Sequence, residues 1–270
     1  MYALPEPAES APASPSAADD ASRQPMTSRL AQSPSPPLPP FSRHDLVWLT
    51  DAGWRAARAR ASAQDEAALL QWQQHCWPAI VRRRDADLPP ALSAKSGSSG
   101  DSGDADVCLG IPLPTDPANG AKRRIALRVK RRDVARTARP LAMFSCLSAA
   151  GQWKVELGVL ADRAANMQLR VYGSLAMQTL TGLPCFTQSS DIDVLFAPTS
   201  ATQLDAGLAL LANFSTRLPL DGEIVFPGGG AVSWKEWLSA ARSRSRVLVK
   251  EMDIVRLAEP AELLTRLEQP

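Results

Sequence analysis

Histidine is almost missing from this chain: His44 and His75 are the only two in 270 residues. That excludes a histidine-rich metal centre. A Ser-His-Asp triad would have to use one of these two, and neither lies near a Gly-x-Ser-x-Gly elbow. His44 precedes an apolar strand signal, a place where a structural role is usual and a minor role in binding is the alternative. Cysteine is scarce as well. Cys76, Cys108, Cys146 and Cys185 lie far apart and form no Cys-x-x-Cys, so neither a zinc site nor a disulfide framework is expected. Free thiols fit a reducing compartment, and the expected location is the cytoplasm. The sequence shows no apolar signal core and no window long and apolar enough to span a membrane. Surplus charge is lacking too. Lys+Arg 30 against Asp+Glu 28 leaves a formal charge of +2, too little to argue for a nucleic-acid partner.

What is present divides the chain into three stretches. Residues 1–40 are almost wholly Pro, Ala and Ser, which cannot bury enough apolar area to offset the entropy of ordering, so a disordered tail is expected. Residues 41–150 are expected to form a smaller N-terminal α+β domain. In it Asp45–Leu49 reads as a strand or buried turn, and Trp54–Trp77 as one helix up to Pro78. Residues 93–106 read as a flexible loop. Cys108–Pro114 and Arg124–Lys130 read as a hairpin around Asp116–Gly120, and Asp133–Arg136 and Leu141–Ala149 as helical.

Residues 151–270 alternate: helix at Val155–Asn166, strand at Leu169–Tyr172, short helix at Leu175–Thr181, strand at Asp191–Phe196. Then follow helix at Gln203–Phe214, strand at Gly222–Phe226 and helix at Trp234–Arg242, with Val247–Lys250 and Ile254–Leu257 as a closing pair or one broken strand. The expected class is α+β (mixed α/β), with a small sheet carrying helices on one side in the second domain.

The chemistry concentrates in Val171-Tyr172-Gly173-Ser174 and Ser190-Asp191-Ile192-Asp193. Side chains alternate along a strand, so Asp191 and Asp193 share a face with Cα atoms about 6.5 Å apart. Both carboxylates could then hold hard cations such as Mg²⁺, which takes oxygen ligands. Gly173 lets backbone approach a phosphate, and the Ser174 hydroxyl and the following helix N-terminus can help cradle it. A third carboxylate is expected on a neighbouring strand. Glu223 is preferred, because Gly222 favours a turn at Asp221; Asp221 and Asp253 are the alternatives. Lys250 either reaches a triphosphate or is a strand-end lysine in solvent. Trp234 and Trp237 share a helix face and read as core. Lys122–Arg132 concentrates positive charge, as a solvated basic face or as a site for a phosphate-rich ligand or an acidic protein.

A Gly-Ser turn before an Asp-x-Asp strand resembles the DNA polymerase β nucleotidyltransferase superfamily. The further run of His44-Asp45-Leu46-Val47-Trp48, Gly110–Pro114, Lys122–Arg128, Gly173-Ser174-Leu175-Ala176, Leu180–Pro184, Asp221–Pro227 and Val247–Lys250 is more specific. From about Phe41 to Leu257 the chain resembles the phosphoribosyl-dephospho-CoA transferases of malonate decarboxylase, also called its holo-acyl-carrier-protein synthases. The resemblance implies transfer of the phosphoribosyl-dephospho-CoA group from triphosphoribosyl-dephospho-CoA to a serine of the acyl-carrier subunit, with pyrophosphate leaving. It implies that Asp191 and Asp193 are the acidic pair and Gly173-Ser174 the phosphate turn. The residues alone stop at nucleotidyl transfer to a hydroxyl. An adenylyltransferase, or a non-catalytic protein that docks the carrier, remains the alternative. The sixteen residues between Ser174 and Asp191 exceed the usual superfamily spacing.

Overall fold

The computed structural model describes residues 40–88, 104–116 and 119–268. The expected N-terminal tail up to residue 39, most of the expected 93–106 loop and part of the hairpin turn fall outside them. The chain is a mixed α+β protein with two sheets and a smaller N-terminal region.

The first sheet has five antiparallel strands in the order β4-β3-β2-β1-β5: β1 (Leu46–Leu49), β2 (Ala79–Val81), β3 (Asp106–Pro112), β4 (Arg124–Lys130) and β5 (Val134–Ala138). Alternation in β4 buries Ile125, Leu127 and Val129. The same alternation turns Arg124, Arg128 and Lys130 to the other face. The expected hairpin is present, in register from Asp106↔Lys130 to Pro112↔Arg124.

Two expectations fail here. The long helix is two helices, α1 (Asp51–Ala59) and α2 (Ala63–Gln74). Ser62 breaks it by accepting the Asp65 N–H at 3.2 Å as an N-cap. The segment expected as helix at Asp133–Arg136 is instead a 3₁₀ turn at Arg131–Asp133 leading into β5, which pairs with β1 at Leu46↔Ala138 and Val47↔Thr137. Four residues are too few to hold a helix against a ready sheet edge.

The second sheet has seven strands, larger than expected, in the order β12-β11-β10-β9-β8-β7-β6. They are β6 (Leu141–Ala142), β7 (Arg170–Val171), β8 (Ile192–Phe196), β9 (Leu220–Val225), β10 (Ala231–Ser233), β11 (Val247–Lys250) and β12 (Val255–Ala258). Strands of two or three residues leave no period in a sequence, which is why β6 and β10 are invisible there. The segment expected as helix from Leu141 is β6 followed by a 3₁₀ helix, Met143–Ala149. Val247–Lys250 and Val255–Ala258 are an antiparallel pair rather than one broken strand.

Helices α3 (Lys154–Arg163), α4 (Gly173–Thr181), α5 (Ala201–Phe214) and α6 (Trp234–Ser243) match expectation to within a few residues. Trp234 and Trp237 are buried. A last helix, α7 (Pro260–Glu268), buries Leu263 and Leu267. Among the described residues only β8 and β9 pair in parallel, because α5 carries the chain back across the sheet between them.

Each sheet has its own core, and α4 joins the two. Leu175 and Ala176 belong to the core of the second sheet, while Met177 and, just beyond the helix, Cys185 pack into that of the first. Burying a side chain such as Met177 contributes about 2 kcal/mol. Backbone also crosses: the Arg84 N–H donates to the Met252 carbonyl at 2.9 Å. The N-terminus of α4 is therefore held between the two lobes. All four cysteines are free thiols. Among the described residues, no helix is long and apolar enough to cross a membrane.

Candidate active site

The site begins where β7 ends. The Tyr172 N–H donates to the Asp193 carbonyl at 3.0 Å, and the chain then turns at Gly173 with φ +67°. That left-handed conformation favours glycine. A Cβ at Gly173 would also lie 2.1 Å from Asp193 Oδ2. Glycine is thus required twice, for the turn and for the close passage of backbone beside a carboxylate. Helix α4 starts at once, and no side chain caps it. Its first N–H groups are donors with no side-chain acceptor, at the positive end of the helix dipole.

The acids come from the parallel pair. Asp193 on β8 is the register partner of Asp221 on β9. Paired residues of neighbouring strands lie about 4.8 Å apart with side chains on one face. Gly222 is not a turn residue, as the sequence suggested, but lies within β9, with a φ of +137° that favours glycine. A Cβ there would sit 1.9 Å from the Val194 carbonyl oxygen, so glycine is needed for the strands to pair. Asp221 is therefore presented beside Asp193. Asp191 immediately precedes β8 and is exposed. Burial, then the Asp221 and Asp191 charges, push the Asp193 carboxyl up to about 6, against the opposing pull of Lys122 and Arg124. Too many acids share too little water.

Glu223 is in a different situation. It is 5% exposed, and its carboxylate accepts from Arg43 Nη2 at 3.1 Å and Lys250 Nζ at 2.9 Å, with His44 Nε2 at 3.4 Å. Burial opposes its charge, but the His44 hydrogen bond, the Arg43 charge and the Lys250 hydrogen bond prevail and hold it well below the usual range. Lys250 is thus bonded to Glu223 rather than standing alone in solvent. His44 has φ +69°, a costly conformation for a non-glycine residue. Its ring lies 4.1 Å from that of Tyr172. Burial lowers its pKa despite Glu223, and burial followed by Glu223, Asp193 and Asp221 raises that of the Tyr172 phenol.

Gly173, Ser174, Asp193, Glu223 and Lys250 line one cavity of about 710 Å³ between the two sheets. Asp191 and Asp221 do not line it. Asp253 stands apart, ion-paired with Arg84 at 3.1 Å. The first lobe supplies the opposite wall, including Arg82, Arg83, Arg84, Lys122, Arg123 and Arg124. The sequence reading did not single out Arg43 or Arg82–Arg84, which carry no local motif, and it gave His44 no more than a minor part.

Chemically, the arrangement sets uncapped N–H donors and cations opposite a cluster of carboxylates, a pairing suited to a multiply charged phosphate ligand. Such a site belongs to a group-transfer enzyme, and the comparisons with known proteins agree. Residues 140–261 match the model of the phosphoribosyl-dephospho-CoA transferase MdcG C-terminal domain. Residues 42–93 and 98–140 match that of its N-terminal domain. The chain is 37% identical to the phosphoribosyl-dephospho-CoA transferase of Bradyrhizobium diazoefficiens over 246 residues, 89% of this chain and 98% of that one. It is 38% identical to that of Xanthomonas campestris pv. campestris over 221 residues, 80% of this chain and 92% of the other. No solved structure matches. The chain belongs to the phosphoribosyl-dephospho-CoA transferase family.

Proposed function

We propose that this chain transfers the phosphoribosyl-dephospho-CoA group of triphosphoribosyl-dephospho-CoA to a serine of the acyl-carrier subunit of malonate decarboxylase. The serine oxygen attacks the α-phosphorus, the bond to pyrophosphate breaks, the hydroxyl proton passes to solvent water, and a phosphodiester remains. The observation that carries the reading is the Gly173–Ser174 turn packed against Asp193 at one end of a cation-walled cleft. Family membership supports both the donor and the acceptor class. A cytoplasmic location is part of the same reading, supported by four free thiols.

The residues fit a divalent cation. Asp193, raised to about 6 by burial and then by the charges of Asp221 and Asp191, belongs to an oxygen-only cluster, in which Asp221 is also ion-paired with Lys235 at 3.6 Å. Among the described residues no three Asp, Glu, His or Cys converge to enclose an ion. Mg²⁺ does not need that, since it keeps waters and shares substrate phosphates. We assign Asp191 and Asp193 as its holders and Asp221 as the third acid, in place of Glu223. Bound there, Mg²⁺ would neutralise charge on the reacting phosphates.

The remaining work falls to the chain itself. Backbone N–H groups at Gly173 and Ser174 cradle a phosphate, and the Ser174 hydroxyl adds a donor. Glu223 anchors Arg43, His44 and Lys250 at the cleft floor, so their donors are set before substrate arrives. Holding the serine in line supplies most of the remaining rate.

Intact-mass measurement of the acyl-carrier subunit, after incubation with the triphosphoribosyl donor or ATP, tests the reading. A mass gain equal to the donor less pyrophosphate is expected. A gain with ATP alone points to adenylyl transfer. No gain with either points to a docking protein without catalysis.

A further inference from the structure

The cavity wall contributed by the first lobe has more cations than its acids use. Arg82 is paired with Asp85, Arg84 with Asp253 and Arg123 with Asp65. Elsewhere in the cavity Arg43 and Lys250 are taken by Glu223. Among the described residues, no carboxylate lies within ion-pair distance of Arg83, Lys122 or Arg124, and all three line the cavity. Lys122 makes one side-chain contact, from Nζ to Ser190 Oγ at 3.3 Å, which places its ammonium beside the loop that leads into β8.

The rest of the basic stretch differs. Arg128 is held by Asp85 and Asp87, Lys130 by Asp106, and Arg132 by Asp104. Lys122–Arg132 is therefore not one basic face. Its later part is neutralised on the lobe's own surface, and its start points a surplus into the cleft.

We infer that Arg83, Lys122 and Arg124, together with the uncapped N-terminus of α4 at Gly173 and Ser174, form a polyphosphate-binding cradle spanning the two lobes. A single phosphate would be satisfied by the helix N-terminus alone. Three further cations without acids, facing it across the cleft, match a linear chain of phosphates. Both lobes then hold the donor, the first by its phosphates and the second by the acids. That is why neither sheet alone carries the site. The inference rests on the proposed transfer for the identity of the natural ligand, the triphosphate end of the donor. It does not rest on it for the binding chemistry. Arg83, Lys122 and Arg124 line the same cavity as Gly173 and Ser174.

Calorimetry with inorganic tripolyphosphate, in magnesium-free buffer on the full chain, tests the cradle. Arg83→Gln, Lys122→Gln and Arg124→Gln are each expected to weaken binding by about 3- to 10-fold, and the triple variant by about 100-fold. Lys122→Arg keeps the charge and should keep the affinity. Arg132→Gln removes the same charge from a residue outside the cleft and should bind like the native chain. The triple variant should raise the KM for donor while leaving kcat within about threefold. Tripolyphosphate binding that survives the triple substitution overturns the inference. So does an equal loss in Arg132→Gln, which would mean attraction by net charge alone. The two readings fail separately. If the native chain binds tripolyphosphate through these residues but modifies no carrier, the transfer reading falls and the cradle stands. If the triple variant modifies carrier at the native KM, the cradle falls and the transfer reading stands.

Discussion

Replacing Glu223 with glutamine separates two roles that the sequence could not separate, metal ligand and anchor of a cationic cluster. Glu223 is 5% exposed and receives Arg43, Lys250 and His44. Gln keeps the shape but loses the charge, and turns an NH₂ toward groups that are themselves donors. Breaking a buried charge cluster by removing one partner costs about 3–5 kcal/mol. The Lys250 side chain is 37% exposed and can swing into the open cleft, which puts the expected loss at the low end, about 3 kcal/mol. At about 2–4 °C per kcal/mol for a chain of this size, Tm should fall by about 6–12 °C. Thermal unfolding at pH 7.5 without ligand measures it, and Mg²⁺ titration of transfer activity is the companion assay. The effect depends on pH with a definite sign. The folded pKa of Glu223 lies below its ordinary 4.5. Its stabilisation is thus fully present above that value and fades as pH falls toward the folded one. The gap between native and Glu223→Gln should close in acid. If Glu223→Gln leaves Tm within about 2 °C of native and instead raises the Mg²⁺ requirement, Glu223 is a metal ligand and the anchoring role is refuted.

Asp191→Asn and Asp193→Asn should each lower transfer by about 100-fold or more, with Tm unchanged or raised, because each relieves like-charge crowding; near-native rates in both would remove the acid pair from the site. Apparent Mg²⁺ affinity should fall as pH drops through about 6, where Asp193 takes up a proton, by about tenfold per pH unit. Asp221→Asn should shift that break to lower pH and raise the Mg²⁺ needed; an unmoved break would place Asp221 outside the cluster. Gly173→Ala sets a Cβ against Asp193 Oδ2 and strains φ, so transfer should drop by about 100-fold or more for a stability loss of about 1–3 kcal/mol; native kinetics in this variant would show that the turn can relax away from the acid.

The sequence by itself determined the elements whose signal is local. Periodic burial along Ala201–Phe214, alternation in Arg124–Lys130, and the Gly-Ser turn ahead of Asp191 and Asp193 were all readable, because a helix face, a strand face and a left-handed turn are each specified within a few residues. Family membership was legible from the same segments and the comparisons bear it out. Tertiary structure alone decided the surroundings of the other acids. Glu223 and Asp221 are two residues apart on one strand and look alike in the chain. One meets Arg43 and His44, from about 180 residues earlier, and the other lies beside Asp193. The register of β8 against β9, and the docking of the first lobe through α4, bring those partners in. The same holds for β5, where pairing with β1 overrode a weak helical preference. It holds again for Lys122–Arg132, a single run of charge that the fold splits between a neutralised surface and a cleft. A chain's own periodicity reports which face of an element is buried, and long-range pairing decides which charges meet there.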